Sequence, residues 1–214
     1  MSLDTEPYSQ QLARWPQQGR LILAQFDTES VIVYQAYRPA IGNFAAERGY
    51  FGGPFKLTRM SWIKPNFLWM MYRSGWGTKE GQEVVLAIRI QRSSFDRILS
   101  LAVHSTFEPD VYETHEKWKR AVDESDVRLQ WDPDRDPKGK KVERRAIQLG
   151  LRGDVIAKYA RDWILDIEDI SGFVSKQRIY AMSGNYDRLL MPSENVYPVM
   201  NEKISTKLGL SNPV

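Results

Sequence analysis

The sequence predicts an α+β fold in a single domain, residues 1–214 with a core of about 20–199, on a mixed and mostly antiparallel sheet with flanking helices. Two observations predict it. Strand-like and helix-like runs follow one another irregularly, without the steady βαβα rhythm of a doubly wound parallel sheet. No internal repeat, low-complexity stretch or long linker divides the chain. At 214 residues, with 42% apolar and 27% charged, it is long enough and apolar enough to bury one sizeable core.

The elements follow from local pattern. Leu21–Phe26 and Val31–Tyr37 are β-rich runs around the turn-like Asp27-Thr28-Glu29-Ser30, which predicts a hairpin. Pro39 suits the first turn of a helix over Ala40–Arg48, and Gly49 suits its end. Phe51-Gly52-Gly53-Pro54 reads as a loop. Arg59–Trp76 has no clean period of either kind and is left unassigned. Val84–Ile90 predicts a buried strand. A helix capped by Ser93 or Ser94 runs from there to Leu101, with Phe95, Ile98 and Leu99 on one face.

Asp110–Val122 predicts a second helix on the spacing of Val111, His115, Trp118 and Val122. Val127–Trp131 predicts a short strand, followed by a proline-broken polar loop over Asp132–Lys141. Ala146–Leu151 is strand-like and Gly153 punctuates it. Asp154–Leu165 predicts a helix and Asp169–Lys176 another. The tail from Gln177 holds Ile179–Met182, a Ser-Gly-Asn turn and a proline-containing end, Met191–Val199.

The absence of cysteine excludes disulfides, thiolate nucleophiles and cysteine-based zinc sites. No secretory signal and no long apolar run is visible, so the expectation is a cytoplasmic protein with no membrane partner. Gly75-Trp76-Gly77-Thr78-Lys79 fails as a phosphate loop, since the order is Thr-Lys and a strand follows. Asp132, Asp134, Asp136 and Glu143 have calcium-loop spacing, but Pro137 stands where glycine is needed and three lysines repel a cation. With only His104 and His115, a histidine-rich metal site is excluded, and no metal is expected.

Charge is uneven. From Arg48 to Lys79 there is no acid in 32 residues, and six of the chain's 30 basic residues lie there, leaving 24 against 27 acids elsewhere. Cations alternate in this block with Trp62, Phe67, Trp69, Tyr72 and Trp76, a combination suited to neutralising phosphate and stacking on a flat ring. Arg59 and Arg73 are the better bidentate candidates. A nucleotide or nucleic acid is therefore the expected partner. The rival readings are an RNA- or DNA-binding module using block 48–79 as an open groove, or a protein-interaction domain burying its aromatics on a partner.

Trp62–Trp76 (WIKPNFLWMMYRSGW), Val33–Pro39 and Arg145–Arg152 closely resemble blocks of the domain-of-unknown-function 4291 family, which implies kinship without an activity. Val31–Arg38 followed by Ala40–Gly49 is similar to the opening of ADP-ribosyltransferases, in which a strand leads to a short helix closed by glycine. That resemblance implies a split sheet and NAD as cofactor. It implies that Arg38 holds the pyrophosphate and that Tyr37 or Tyr72 stacks on nicotinamide, with Ser61 on the strand beside it. Arg59, Lys64 and Arg73 join Arg38 on phosphate, and Trp62, Trp69 and Tyr72 line the ring pocket. The glutamate that such enzymes aim at the ribose is replaced by Gln148, with Glu143 off the start of its strand, and these two are the catalytic candidates.

Overall fold

In the computed structural model, which describes residues 3–211, two sheets carry the fold. The chain enters through β1 (Thr5–Pro7), α1 (Tyr8–Arg14), β2 (Leu23–Ala24), β3 (Ser30–Tyr37) and α2 (Pro39–Arg48). There follow β4 (Ser61–Ile63), α3 (Phe67–Ser74), β5 (Val84–Gln91), α4 (Arg92–Leu101), β6 (Val103–His104), α5 (Pro109–Tyr112) and α6 (His115–Glu124). The remainder is β7 (Val127–Arg135), β8 (Lys141–Leu151), α7 (Gly153–Tyr159), β9 (Ile164–Asp169), α8 (Ser171–Ser183), β10 (Leu190–Pro192), β11 (Asn195–Val196) and α9 (Glu202–Leu208). One sheet has the order β3-β5-β9 and is antiparallel; the other runs β4-β8-β7-β6, with only β6–β7 parallel. The architecture is α+β in a single domain, as predicted.

Alternation along the strands decides what each face buries, because successive side chains point to opposite sides. On β7 and β8, Val127, Leu129, Ile147, Leu149 and Leu151 join Ile63 of β4 in the main core. Val31 and Val33 of β3 and Leu86, Ile88 and Ile90 of β5 meet them there, with α4 and α7 closing the ends. The opposite face of β3 and β5 presents Ile32, Tyr34, Val85 and Ala87 to a second core formed with α3 and α8. Arg128, Gln130, Gln148 and Gly150 alternate with the core residues and so belong to the other face of their sheet.

The hairpin turn forms as expected: Asp27 accepts the N–H groups of Glu29 and Ser30, and Phe26 bridges Val31. β2 itself pairs with β11. Pro39 opens α2 and Gly49 closes it at φ 72°. The unassigned Arg59–Trp76 resolves into β4 and α3, too short for either period to register. α3 is set by Asn66, whose side chain accepts the Trp69 N–H at 2.7 Å, and by Gly75 in the left-handed region at its end.

Four expectations are corrected. The serines do not cap α4, whose N-cap is Gln91. The helix predicted over Asp110–Val122 breaks at Glu113 (φ 60°), and Thr114 caps a new helix by accepting the Lys117 N–H. The supposed loop 132–141 is mostly strand: β7 continues to Arg135, and Asp136 closes a tight turn by accepting the Lys138 and Lys140 N–H groups. Pro133 is tolerated because its register shifts there and β6 pairs only as far as Leu129, leaving that flank of β7 free. The helix predicted over Asp154–Leu165 stops at Tyr159, and Ile164–Asp169 becomes an edge strand on β5. Ile179–Met182 of the tail are part of α8. Among the described residues no helix is long and apolar enough to cross a membrane.

The β7–β8 hairpin is anchored by an almost fully buried ion pair, Arg144 with Asp134, whose guanidinium also lies 4.9 Å from the centre of the Trp15 ring. Burial raises the Asp134 carboxyl above its ordinary value, against the pull of Arg144. Breaking such a pair strands a charge in a dry site, so Arg144→Met is expected to cost about 3–5 kcal/mol in urea unfolding. Asp134→Leu combined with Arg144→Met should recover most of that loss.

Candidate ligand-binding cleft

Among the described residues the main chains of the two sheets pair at one point. The main chains of Tyr34 in β3 and Lys64, just past β4, exchange hydrogen bonds of 2.7 and 3.2 Å. Beyond this bridge the strands part. Tyr37, at the end of β3, turns toward β4, and the gap is the cleft.

A hydrogen-bonded network fixes its inner wall. Gln35 is the hub: Tyr159 Oη donates to Gln35 Oε1 at 2.8 Å, and Gln35 Nε2 donates to Tyr37 Oη at 2.8 Å and Ser61 Oγ at 2.9 Å. The Tyr37 and Ser61 hydroxyls share a further bond of 2.6 Å. Burial pushes the phenols of Tyr37 and Tyr159 up, so both stay protonated as donors. Phe51 and Phe55 pack on Tyr37 with centroids at 5.6 and 5.9 Å and tie down the loop that follows α2.

The floor is the outer face of the four-stranded sheet. Ile63 stands opposite Leu149, which sets Lys64 beside Gln148, and Gln148 stands opposite Gln130. Both glutamines donate to one carboxylate, Gln148 to Asp132 Oδ2 at 2.7 Å and Gln130 to Asp132 Oδ1 at 2.9 Å. Gly150 lies directly under Trp62: a Cβ there would fall 3.0 Å from the indole and 2.7 Å from Met60 Sδ. Glycine lets Trp62 lie down against the sheet.

Lys64 is the unusual group. It is only 5% exposed, lines the cleft, and its ammonium makes no hydrogen bond or ion pair with any described residue. Burial first, and the Arg73 guanidinium second, lower its pKa to about 8, while Asp132 pulls the other way. A charged amine held this way costs stability unless something else compensates it.

Two adjoining cavities make up the cleft. The inner, of about 420 Å³, is lined by Gln35, Tyr37, Ser61, Trp62, Lys64, Arg73, Gln130 and Gln148, among others. The outer, of about 450 Å³, is lined by Arg38, Lys56 and Arg59 along with Pro54, Phe55 and Ile41. Tyr37, Met60 and Ser61 belong to both. Thus Tyr37, Arg38, Arg59, Ser61, Trp62, Lys64, Arg73 and Gln148, read from sequence as site residues, converge here. Trp69, Tyr72 and Glu143 do not line it. Trp69 is buried and stacks on Tyr72, whose ring lies 3.8 Å from the Arg135 guanidinium, and Glu143 is exposed on β8. Lys79 is spent on the end of α3, donating to the Arg73 carbonyl at 2.8 Å. Sequence reading missed Gln35, Gln130 and Asp132. Their available signal was a polar side chain at a fixed parity within otherwise apolar strands.

The profile of the family described as a domain of unknown function, DUF4291, matches residues 21–197. The chain belongs to that family. A comparison with curated proteins finds no match. The three segments by which the sequence resembles DUF4291 are far apart in the chain but adjacent in the fold. They supply Gln35 and Tyr37, then Trp62, Lys64 and Arg73, then Gln148 and Gly150. These three segments thus meet at one cleft.

The lysine gives a signed prediction. Below about pH 8 the folded chain carries the buried charge; between about 8 and 10.5 it sheds a proton that the unfolded chain keeps, so this group's contribution to stability rises with pH across that window. Lys64→Met keeps the stem volume without the charge. It is expected to be more stable than the parent by about 2–3 kcal/mol at pH 7 in urea unfolding, the gap closing toward pH 10.5. A variant less stable at every pH would make Lys64 a structural residue.

Proposed function

We propose that the cleft binds a dinucleotide of the NAD type and that the protein is an ADP-ribosyltransferase-like enzyme. The observation that carries the reading is the junction of two ligand-sized cavities through Tyr37, Met60 and Ser61, with cations at both ends and a flat aromatic wall between them. In this reading Arg38 and Arg59, with Lys56, hold the pyrophosphate at the outer mouth. Trp62 and Tyr37 border the rings, and Lys64 and Arg73 complement negative charge at the inner end. Gln148, held by Asp132, faces the ribose hydroxyls. A neutral amide hydrogen-bonds them but offsets an oxocarbenium-like charge less well than a carboxylate, so transfer is expected to be slow.

The burial of Trp69 and Trp76 favours this cleft over an open nucleic-acid groove, since neither indole is free to stack on a base. Millimolar NAD should raise the melting temperature saturably, with a shallow dependence on salt, and nicotinamide should be released slowly. Replacing Arg38 and Arg59 together by Ala should weaken NAD binding about tenfold or more while leaving the unliganded melting temperature in place. No stabilisation and no nicotinamide at millimolar NAD overturns the reading. Single-strand RNA binding with a steep salt slope favours the groove instead, and a melting temperature that climbs with protein concentration favours a protein-interaction domain.

A further inference from the structure

We propose that Lys64 is a nucleophilic amine that captures carbonyl compounds carrying an anionic group, with Arg73 seating the anion. The inference does not depend on the ligand being a dinucleotide. It rests on placement: a primary amine, buried but open to the inner cavity, without a partner among the described residues, next to a second cation in the same lining. Desolvation beside another cation is the arrangement that keeps a lysine partly unprotonated and reactive near neutral pH.

The surroundings suit the chemistry. The unprotonated Nζ adds to the carbonyl carbon, the π electrons move to oxygen, and a proton passes from the new ammonium nitrogen to that oxygen to give a carbinolamine. Loss of one water leaves the imine, and water reverses the sequence. No oxidant or reductant enters. α3 contributes Met70 and the exposed, charged Arg73; β3 contributes Gln35 and the protonated phenol of Tyr37; β4 contributes Ser61 and Trp62; β8 contributes Gln148; and β7 contributes Gln130 and the Asp132 carboxylate. Asp132 is the anionic group among these, and its two oxygens are taken up by the glutamine amides, so it tempers the lowered pKa of Lys64 without pairing with it. An anion of the ligand has Arg73 to itself. With a pKa of about 8, on the order of a tenth of the amine is unprotonated at pH 7, against well below a thousandth for an ordinary lysine.

The test uses the whole unmodified protein with glyoxylate, an aldehyde bearing a carboxylate, and cyanoborohydride to trap the imine. Peptide mass spectrometry then reads the carboxymethyl group at each lysine. Lys64 is expected to be labelled about tenfold faster at pH 7.5 than the exposed Lys138 and Lys140, with a rate midpoint near pH 8. Uncharged propionaldehyde should lose most of that preference, as should glyoxylate on the Arg73→Leu variant, whose fold is checked by its melting temperature. Labelling of Lys64 no faster than Lys138 and Lys140, or a midpoint above pH 10, overturns the proposal. Neither readout involves NAD, so failure here and failure of the dinucleotide reading are separable.

Discussion

Two main-chain hydrogen bonds between Tyr34 and Lys64 join the sheets at a single residue pair, and the rest of the site depends on that restriction. A longer ladder between β3 and β4 would make one continuous sheet, and the space between Tyr37 and Gln148 would be filled with paired backbone. Because pairing stops after one bridge, the two strands diverge, and polar side chains occupy the space between them. Gln35 gathers them on one side, also donating to the Trp62 carbonyl, and Asp132 gathers the glutamine amides on the other.

The cleft is thus lined by polar groups that hold one another in place. Such a network is stable only when each member finds a partner, and here the amides, hydroxyls and carboxylate do. Lys64 and Arg73 stand outside it, and of the two Lys64 is the one that is buried. Its cost in the unliganded fold is the physical counterpart of affinity for something negatively charged, or of reactivity once the proton is lost. A buried lysine separates this cleft from the surface hollow at the far ends of α4 and α6, whose lining carries acids and bases together.

Much of the fold was legible because local chemistry dictated it. Pro39 and Gly49 bound α2 by fixed backbone angles, and the apolar run of β5 is buried on both faces, so its pattern is unmistakable. What failed locally were positions where partners decide. Ile164 and Trp163 fit a helical face as well as a strand, and only the free edge of β5 makes Ile164–Asp169 a strand. Asp132-Pro133-Asp134 reads as loop by composition, yet β8 draws it into a ladder.

The sequence by itself determined the α+β class, the family, and the acid-free stretch that puts Arg59, Lys64 and Arg73 near one another, because these are properties of composition and short-range order. Only the tertiary structure decided which of those cations count. It sent Lys79 to the end of α3, set Trp69 and Tyr72 beneath Arg135, left Glu143 in solvent, and put Lys64 beside Gln148 across strands 84 positions apart. Burial and register are collective: each depends on which strand lies alongside, and no window of neighbouring residues contains that information.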